Sequence, residues 1–239
     1  MTPLVFLHGL GGGHAAWNAQ LAHFRRLGYP CTAWDQPGYG AAPMVDPYTL
    51  ETVAAKLKES ISAPSVLIGH SMGGFIAQEA YARFPHIAKA LVLGFTSAAF
   101  GSGEFAKQFL AVRTGPLDEG RTMGEIAARL MPTMRGSKSD PAGLAHAERI
   151  MSGITPDTYR KAAELITAFD RRLDLERIAV PTLLVAGSDD RTAPPSVMQR
   201  MAEKIPGAAL VILEGCGHLG PMDQPVPFNA ALEAFLKKL

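Results

Sequence analysis

The chain has 239 residues, 47% of them apolar, a formal net charge of +1 and a charged fraction of 19%. That length carries one large core, and the near-neutral balance without a basic stripe excludes nucleic acid and the membrane surface as partners. Cys31 and Cys216, the two cysteines, lie far apart without C-x-x-C spacing, which gives neither a disulfide framework nor a zinc site.

In chain order, no positively charged leader precedes the first apolar run at 4–7, and no run approaches the ~18 apolar residues of a membrane span. A cytoplasmic protein without a membrane partner is the expectation. A helix-like stretch at 14–27 comes next, then a run at 31–34, a stretch at 48–61, a run at 65–68, a stretch at 73–84 and a run at 90–93. The runs lack interior polar alternation, as strands covered on both faces by helices do, so the alternation predicts a parallel sheet in an α/β fold. From 97 to 170 the alternation stops. Helical stretches around 103–113, 119–130, 142–152 and 156–168 replace it, and the segment is too long for a plain loop. The expected organisation is a core of 1–96 and 171–239 with a helical cap, 97–170, inserted after the strand at 90–93. Met123, Met131, Met134 and Met151 fall in the cap, where packing on the core is the simpler role and pocket lining the alternative. The α/β alternation resumes with a run at 182–186, a helix at 195–204, a run at 209–213 and a helix at 225–238.

The chemistry concentrates at Gly69-His70-Ser71-Met72-Gly73-Gly74, a G-x-S-x-G pattern with a buried strand before it and a helix after it. Such a turn strains the serine and exposes its hydroxyl above the sheet, while the helix aims N–H groups at the same spot. Small residues flank it because the turn brings their backbones together. A serine needs a base. Of His8, His14, His23, His70, His86, His146 and His218, the last follows the final strand in Gly215-Cys216-Gly217-His218, above the strand ends where α/β ligand crevices lie. His70 adjoins Ser71 but is expected to point the other way, and His8 to pin a loop. The base in turn needs a carboxylate, and Asp189 and Asp190 both follow the strand at 182–186. Two backbone donors complete an oxyanion hole: the N–H of Met72, and that of Leu10 in the Gly-rich loop after the first strand. Gly215-x-Gly217-x-x-Gly220 also matches a dinucleotide fingerprint, but Pro221 follows and no later strand can supply a ribose-binding acid. No cofactor and no metal are expected.

These motifs together resemble the α/β-hydrolase superfamily over essentially the whole chain. The matching pieces are His8-Gly9-Leu10-Gly11, Asp35-Gln36-Pro37-Gly38-Tyr39-Gly40, the elbow at 69–73, the strand Pro181 to Gly187 with Asp190, and Gly217-His218 with Asp223-x-Pro225. The family's spacing from Gly187 selects Asp190 as the acid. The chain is similar to small bacterial hydrolases of the 3-oxoadipate enol-lactonase and aminoacrylate-hydrolase kind, a likeness to which Ala168-Phe169-Asp170 adds. It departs from the family in two ways. The two strands that usually precede the His8-Gly9 strand have no counterpart, so a six-stranded sheet is expected, and Gly40-Ala41-Ala42 lacks the usual Ser or Thr. Serine at 71 separates it from the dehalogenases and epoxide hydrolases, which place aspartate there. Gly94-Phe95-Thr96-Ser97 holds no carboxylate at the alternative acid position.

The resemblance implies a serine hydrolase acting on an ester, thioester or lactone of a small, largely apolar molecule. Ser71 is the nucleophile, His218 the base and Asp190 the acid, with Leu10 and Met72 as oxyanion donors. Gly9, Gly11, Trp17, Phe95, Met123 and Leu219 are the expected substrate-binding residues. Arg113, Arg121, Arg129 and Arg135 are each either a carboxylate anchor or a solvated helix face, the second being the simpler. Competing functions are carbon–carbon hydrolysis of a diketone, cofactor-free perhydrolysis, and a ligand receptor that keeps a hydrolase pocket. Oligomeric state is not legible.

Overall fold

A computed structural model describes residues 1–101 and 103–239. Six strands, β1 (Leu4–Leu7), β2 (Cys31–Trp34), β3 (Ser65–His70), β4 (Ala88–Gly94), β5 (Thr182–Gly187) and β6 (Ala209–Leu213), form one sheet in the order β2-β1-β3-β4-β5-β6. Every pairing is parallel. The uninterrupted apolar runs have a physical reason. Alternate residues feed two cores, Leu4, Phe6, Val66, Ile68 and Val92 on one face, Leu7, Leu67, Leu91 and Leu93 on the other. The edge strands β2 and β6 are only partly buried.

Helices α1 (Asn18–Arg26), α2 (Leu50–Ser60) and α3 (Met72–Arg83) follow the first three strands. Phe24 of α1 packs in the first core, whereas Val53 and Leu57 of α2 and Ile76 of α3 pack in the second, so helices cover both faces. Between β4 and β5 run α4 (Glu104–Asp118), α5 (Met123–Met134), α6 (Pro141–Ser152) and α7 (Pro156–Thr167). Capping sets their starts: Thr122, Asp140 and Thr155 each accept a backbone N–H at the entry of α5, α6 and α7. After β5 come α8 (Pro195–Lys204), the short α9 (Gly220–Asp223) and α10 (Pro225–Leu236). No helix among the described residues is long and apolar enough to cross a membrane.

Strand order reverses at β1, which has β2 on one side and β3 on the other. The loops leaving β1 and β3 therefore diverge and open a crevice at the carboxyl ends of the sheet. The helical segment leaves and re-enters the sheet through a narrow neck. Phe100 N–H donates to Phe169 O at 2.9 Å and Arg171 N–H to Ala98 O at 2.7 Å. Arg171 also grips the buried Glu79 of α3 with two bonds, Nε to Oε2 at 2.8 Å and Nη2 to Oε1 at 2.7 Å, and Arg83 adds a third.

Breaking that pair from one side strands a buried carboxylate. Arg171→Met is expected to lower stability by about 2–4 kcal/mol, Arg83 supplying partial compensation, and the double variant Arg171→Met, Glu79→Leu is expected to lose less than the single. Urea unfolding of the two variants measures this.

Candidate active site

The elbow is built by backbone contact. Ser71 follows β3 directly and adopts φ 53° and ψ −117°, a left-handed conformation costly for a side-chain-bearing residue. A side-chain carbon at Gly69 would overlap Gly73 backbone, and one at Gly73 would overlap the Leu7 carbonyl. Only glycine lets β1, β3 and α3 meet so closely. The strain is held from outside: Ser71 N–H donates to Gly94 O at 2.9 Å, and Ser71 O accepts from Gly74 N–H at 2.8 Å and Thr96 Oγ1 at 2.8 Å.

Three side chains from three loops meet above this turn. His218 Nε2 lies 3.0 Å from Ser71 Oγ, and His218 Nδ1 donates to Asp190 Oδ2 at 2.8 Å. Asp190 Oδ1 accepts the N–H groups of Thr192 at 2.7 Å and Ala193 at 3.0 Å, so the carboxylate is fixed at both oxygens. Burial alone pushes the Asp190 carboxyl up. Attraction to His218 and its hydrogen bond, with the Ala193 and Thr192 N–H groups, outweigh that and hold it below the usual carboxylate range. Asp189 instead turns outward to the Ser137 N–H, 2.7 Å away.

Leu10 and Met72 both line the cavity over Ser71, and neither N–H donates to a protein acceptor among the described residues. Their directions are set by the carbonyls across their own planar peptides. Gly9 O is held by Gly12 N–H at 2.9 Å and His8 Nδ1 at 2.9 Å, which turns the Leu10 N–H the opposite way. Ser71 O, held as above, does the same for Met72. His8 thus pins the loop, with Nε2 accepting Gln36 N–H at 3.3 Å. His70 leaves Ser71 but not the site: its Nε2–H donates to His218 O at 2.7 Å, beneath the loop it supports.

Much of the site's scaffold escaped sequence reasoning. His218 N–H donates to Met134 O at 2.8 Å, and Lys138 N–H to Gly215 O at 2.9 Å. Carbons at Gly136, Gly187 or Gly217 would overlap neighbouring backbone and one at Gly215 would overlap the Lys138 side chain, so Gly215 and Gly217, two of the three glycines that mimic a dinucleotide fingerprint, serve close packing of the 134–140 segment on the His218 loop. Asp223 joins this clamp, accepting from Ser139 Oγ and, through its carbonyl, from Asp140 N–H at 3.1 Å.

The cavity over Ser71 is narrow and mostly apolar, and opens to solvent on one side. Gly9, Gly11, Phe95 and Leu219 line it, but Trp17 and Met123 do not. Trp17 is 1% exposed and spent on Phe6 and Phe228, beneath the sheet's far face. Met123 starts α5 and packs in the core; Met131 and Met134, a turn or more further along, and Met151 reach the cavity instead. Phe75, Phe100, Phe109 and Arg113 also line it, residues no local motif marks. Phe95 has a positive φ of 52°, like Ser71.

A model of the alpha/beta hydrolase family matches residues 4–231. Among curated proteins, the chain is 28% identical to a candidate non-heme bromoperoxidase, BpoC, of Mycobacterium tuberculosis, over 98% of this chain and 93% of that one. It is 27% identical to 3-oxoadipate enol-lactonase 2 of Acinetobacter baylyi, over 98% and 88%. Among solved structures, a thermophilic esterase of Thermogutta terrifontis superposes with a TM-score of 0.90 at 25% identity, over 100% and 90%.

Burial lowers His8 to about 4 and His70 to about 3, from an ordinary 6.5. Both are neutral when folded but protonated in the unfolded chain below pH 6.5, so their contribution to stability is complete above that pH and is lost as pH falls. Each is expected to cost roughly 2 kcal/mol between pH 7 and pH 5, whereas the contribution of Asp190, present at both, is lost only at more acid pH. Urea midpoints at the two pH values measure the loss, and His70→Gln should remove about half of it.

Proposed function

The chain belongs to the alpha/beta hydrolase family, and from that premise we propose that it is a serine hydrolase cleaving a carboxylic ester, thioester or lactone of a small, largely apolar molecule. The observation that carries this reading is the relay of 3.0 Å from Ser71 Oγ to His218 Nε2 and 2.8 Å from His218 Nδ1 to Asp190. A hydroxyl so placed gives up its proton to the imidazole as it attacks, while the carboxylate fixes the tautomer and offsets the imidazolium charge.

The steps follow from the atoms in place. Ser71 Oγ bonds to the substrate carbonyl carbon, and its proton passes to His218 Nε2. The carbonyl oxygen becomes an oxyanion held by the N–H groups of Leu10 and Met72, each of which is worth roughly 3–4 kcal/mol in the transition state. His218 returns the proton to the leaving oxygen or sulfur, and the acyl group stays on Ser71. Water then attacks the acyl-enzyme, losing its proton to His218, and Ser71 leaves with that proton. The helical segment of α4 to α7 roofs the acyl pocket as a cap. Likeness to the bromoperoxidase-named relative supports a second reading, in which hydrogen peroxide replaces water in the last step and releases a peracid.

Ser71→Ala is expected to lower hydrolysis of aryl and alkyl esters by at least about 10⁴-fold, and a fluorophosphonate should label residue 71 in the wild type and nothing in the variant. Asp190→Asn should cost about 10³–10⁴-fold while Asp189→Asn stays near wild type. Steady-state kinetics with label mapping by mass spectrometry decides this: equal rates in wild type and Ser71→Ala reject the mechanism.

A further inference from the structure

The cavity over Ser71 has apolar walls, and one side chain of fixed charge lines it, Arg113 of α4. A guanidinium does not shed its charge to suit its surroundings, so an apolar wall makes it costly unless an anion meets it. Other partly buried arginines meet carboxylates: Arg171 holds Glu79 and Arg160 holds Asp118. Arg113 forms no ion pair among the described residues. Its guanidinium stands over the Phe109 ring, 5.4 Å from the centroid, which orients the group without neutralising it. Beside it lies Tyr159 of α7, fully buried. Arg113 approaches the Tyr159 hydroxyl without closing a hydrogen bond of ordinary geometry, and that hydroxyl has no partner among the described residues. A neutral tyrosine hydroxyl brings no countercharge, so the guanidinium at the cavity wall is left without an anion.

Resting on the ester-hydrolase reading above, we infer that the preferred substrate carries a carboxylate remote from its scissile carbonyl, and that Arg113 is the residue that selects it. The guanidinium meets the two carboxylate oxygens with paired N–H···O bonds. Phe100, Phe109 and Ile166 cover the apolar chain between the carboxylate and the reacting carbonyl. A single positive charge in apolar walls matches a monoanion; a phosphate dianion would leave one charge buried and unpaired.

The experiment compares kcat/KM for paired substrates. Monomethyl esters of dicarboxylic acids are set against methyl esters of fatty acids of equal length, which puts the carboxylate on the acyl side. Acetyl esters of ω-hydroxy acids are set against alkyl acetates, which puts it on the alcohol side. In one series or the other the wild type should prefer the carboxylate substrate by about 10–100-fold. Arg113→Gln should bring that ratio close to one, and Arg113→Lys should restore part of it. Thermal melting identifies any variant that fails to fold, and Arg113→Lys then carries the comparison. Hydrolysis of neutral esters with no carboxylate preference in either series overturns this inference and leaves the serine-hydrolase reading intact. No Ser71-dependent turnover of any ester overturns that reading itself. A preference that survives Arg113→Gln unchanged overturns the assignment to Arg113.

Discussion

Everything at this site depends on three backbones meeting without side chains between them. The end of β1, the end of β3 and the first turn of α3 touch at Gly69, Gly73 and the Leu7 carbonyl. That contact forces Ser71 into its left-handed conformation, a strain of order 1–3 kcal/mol that the surrounding hydrogen bonds sustain. The bonds that hold it, from Thr96 and Gly74 to Ser71 O and from Ser71 N–H to Gly94 O, also aim the Met72 N–H. Strain and alignment are therefore one device: what fixes the hydroxyl fixes the Met72 N–H beside it. On β1 the same logic recurs, with His8 and Gly12 holding the Gly9 carbonyl so that the Leu10 N–H is left free.

His218 has no such turn and is fixed from two sides. Below, neutral His70 donates to its carbonyl; above, Met134 of α5 accepts its N–H. The helical segment is thus not merely a roof. Its 134–140 stretch grips the His218 loop, touches the outward face of the loop after β5 through Asp189, and ties to α9 through Asp223. An imidazole placed this way loses little freedom when a proton moves, which is what preorganisation requires. The acid behaviour of the protein follows from the same burial, which disfavours charge on both imidazoles, and His8 can accept the Gln36 N–H only while uncharged.

The sheet was legible in the sequence because both of its faces are covered. Residues at 4–7, 65–68 and 182–186 have no polar interruption, and each run became a buried strand. The elbow was legible because a short-range steric rule, small residues two before and two after the serine, is written within five positions. His218 and Asp190 follow strands in a fixed chain order, so their convergence at 3.0 Å and 2.8 Å could be anticipated from spacing plus resemblance. Trp17 and Met123 were misjudged as pocket lining for a different reason. Whether an apolar residue on a helix faces a cavity or a core depends on helix rotation and on where the helix ends relative to the strands, and neither is encoded locally. The close-packed glycines at 136, 187 and 217 were invisible for the same reason, because their partners are distant in the chain.

This difference divides the molecule's work. Groups proposed for bond-making sit on loops from consecutive strand ends, where the parallel sheet dictates position and few alternatives exist. The cavity-lining residues Phe100, Phe109, Arg113, Met131 and Ile166, proposed to contact the rest of a substrate, come from the segment between β4 and β5. That segment is held to the sheet at its Arg171–Glu79 neck and at the 134–140 clamp. Helix α4, between those attachments, buries none of its residues fully and packs on the core only through the partly buried Phe109, Leu110 and Leu117. A helix in that state can exchange one lining side chain for another without disturbing Ser71, His218 or Asp190. The proposed chemistry and the proposed selectivity are therefore separable here, and an arginine on α4 that no carboxylate neutralises among the described residues is a choice of the pocket rather than a requirement of the fold.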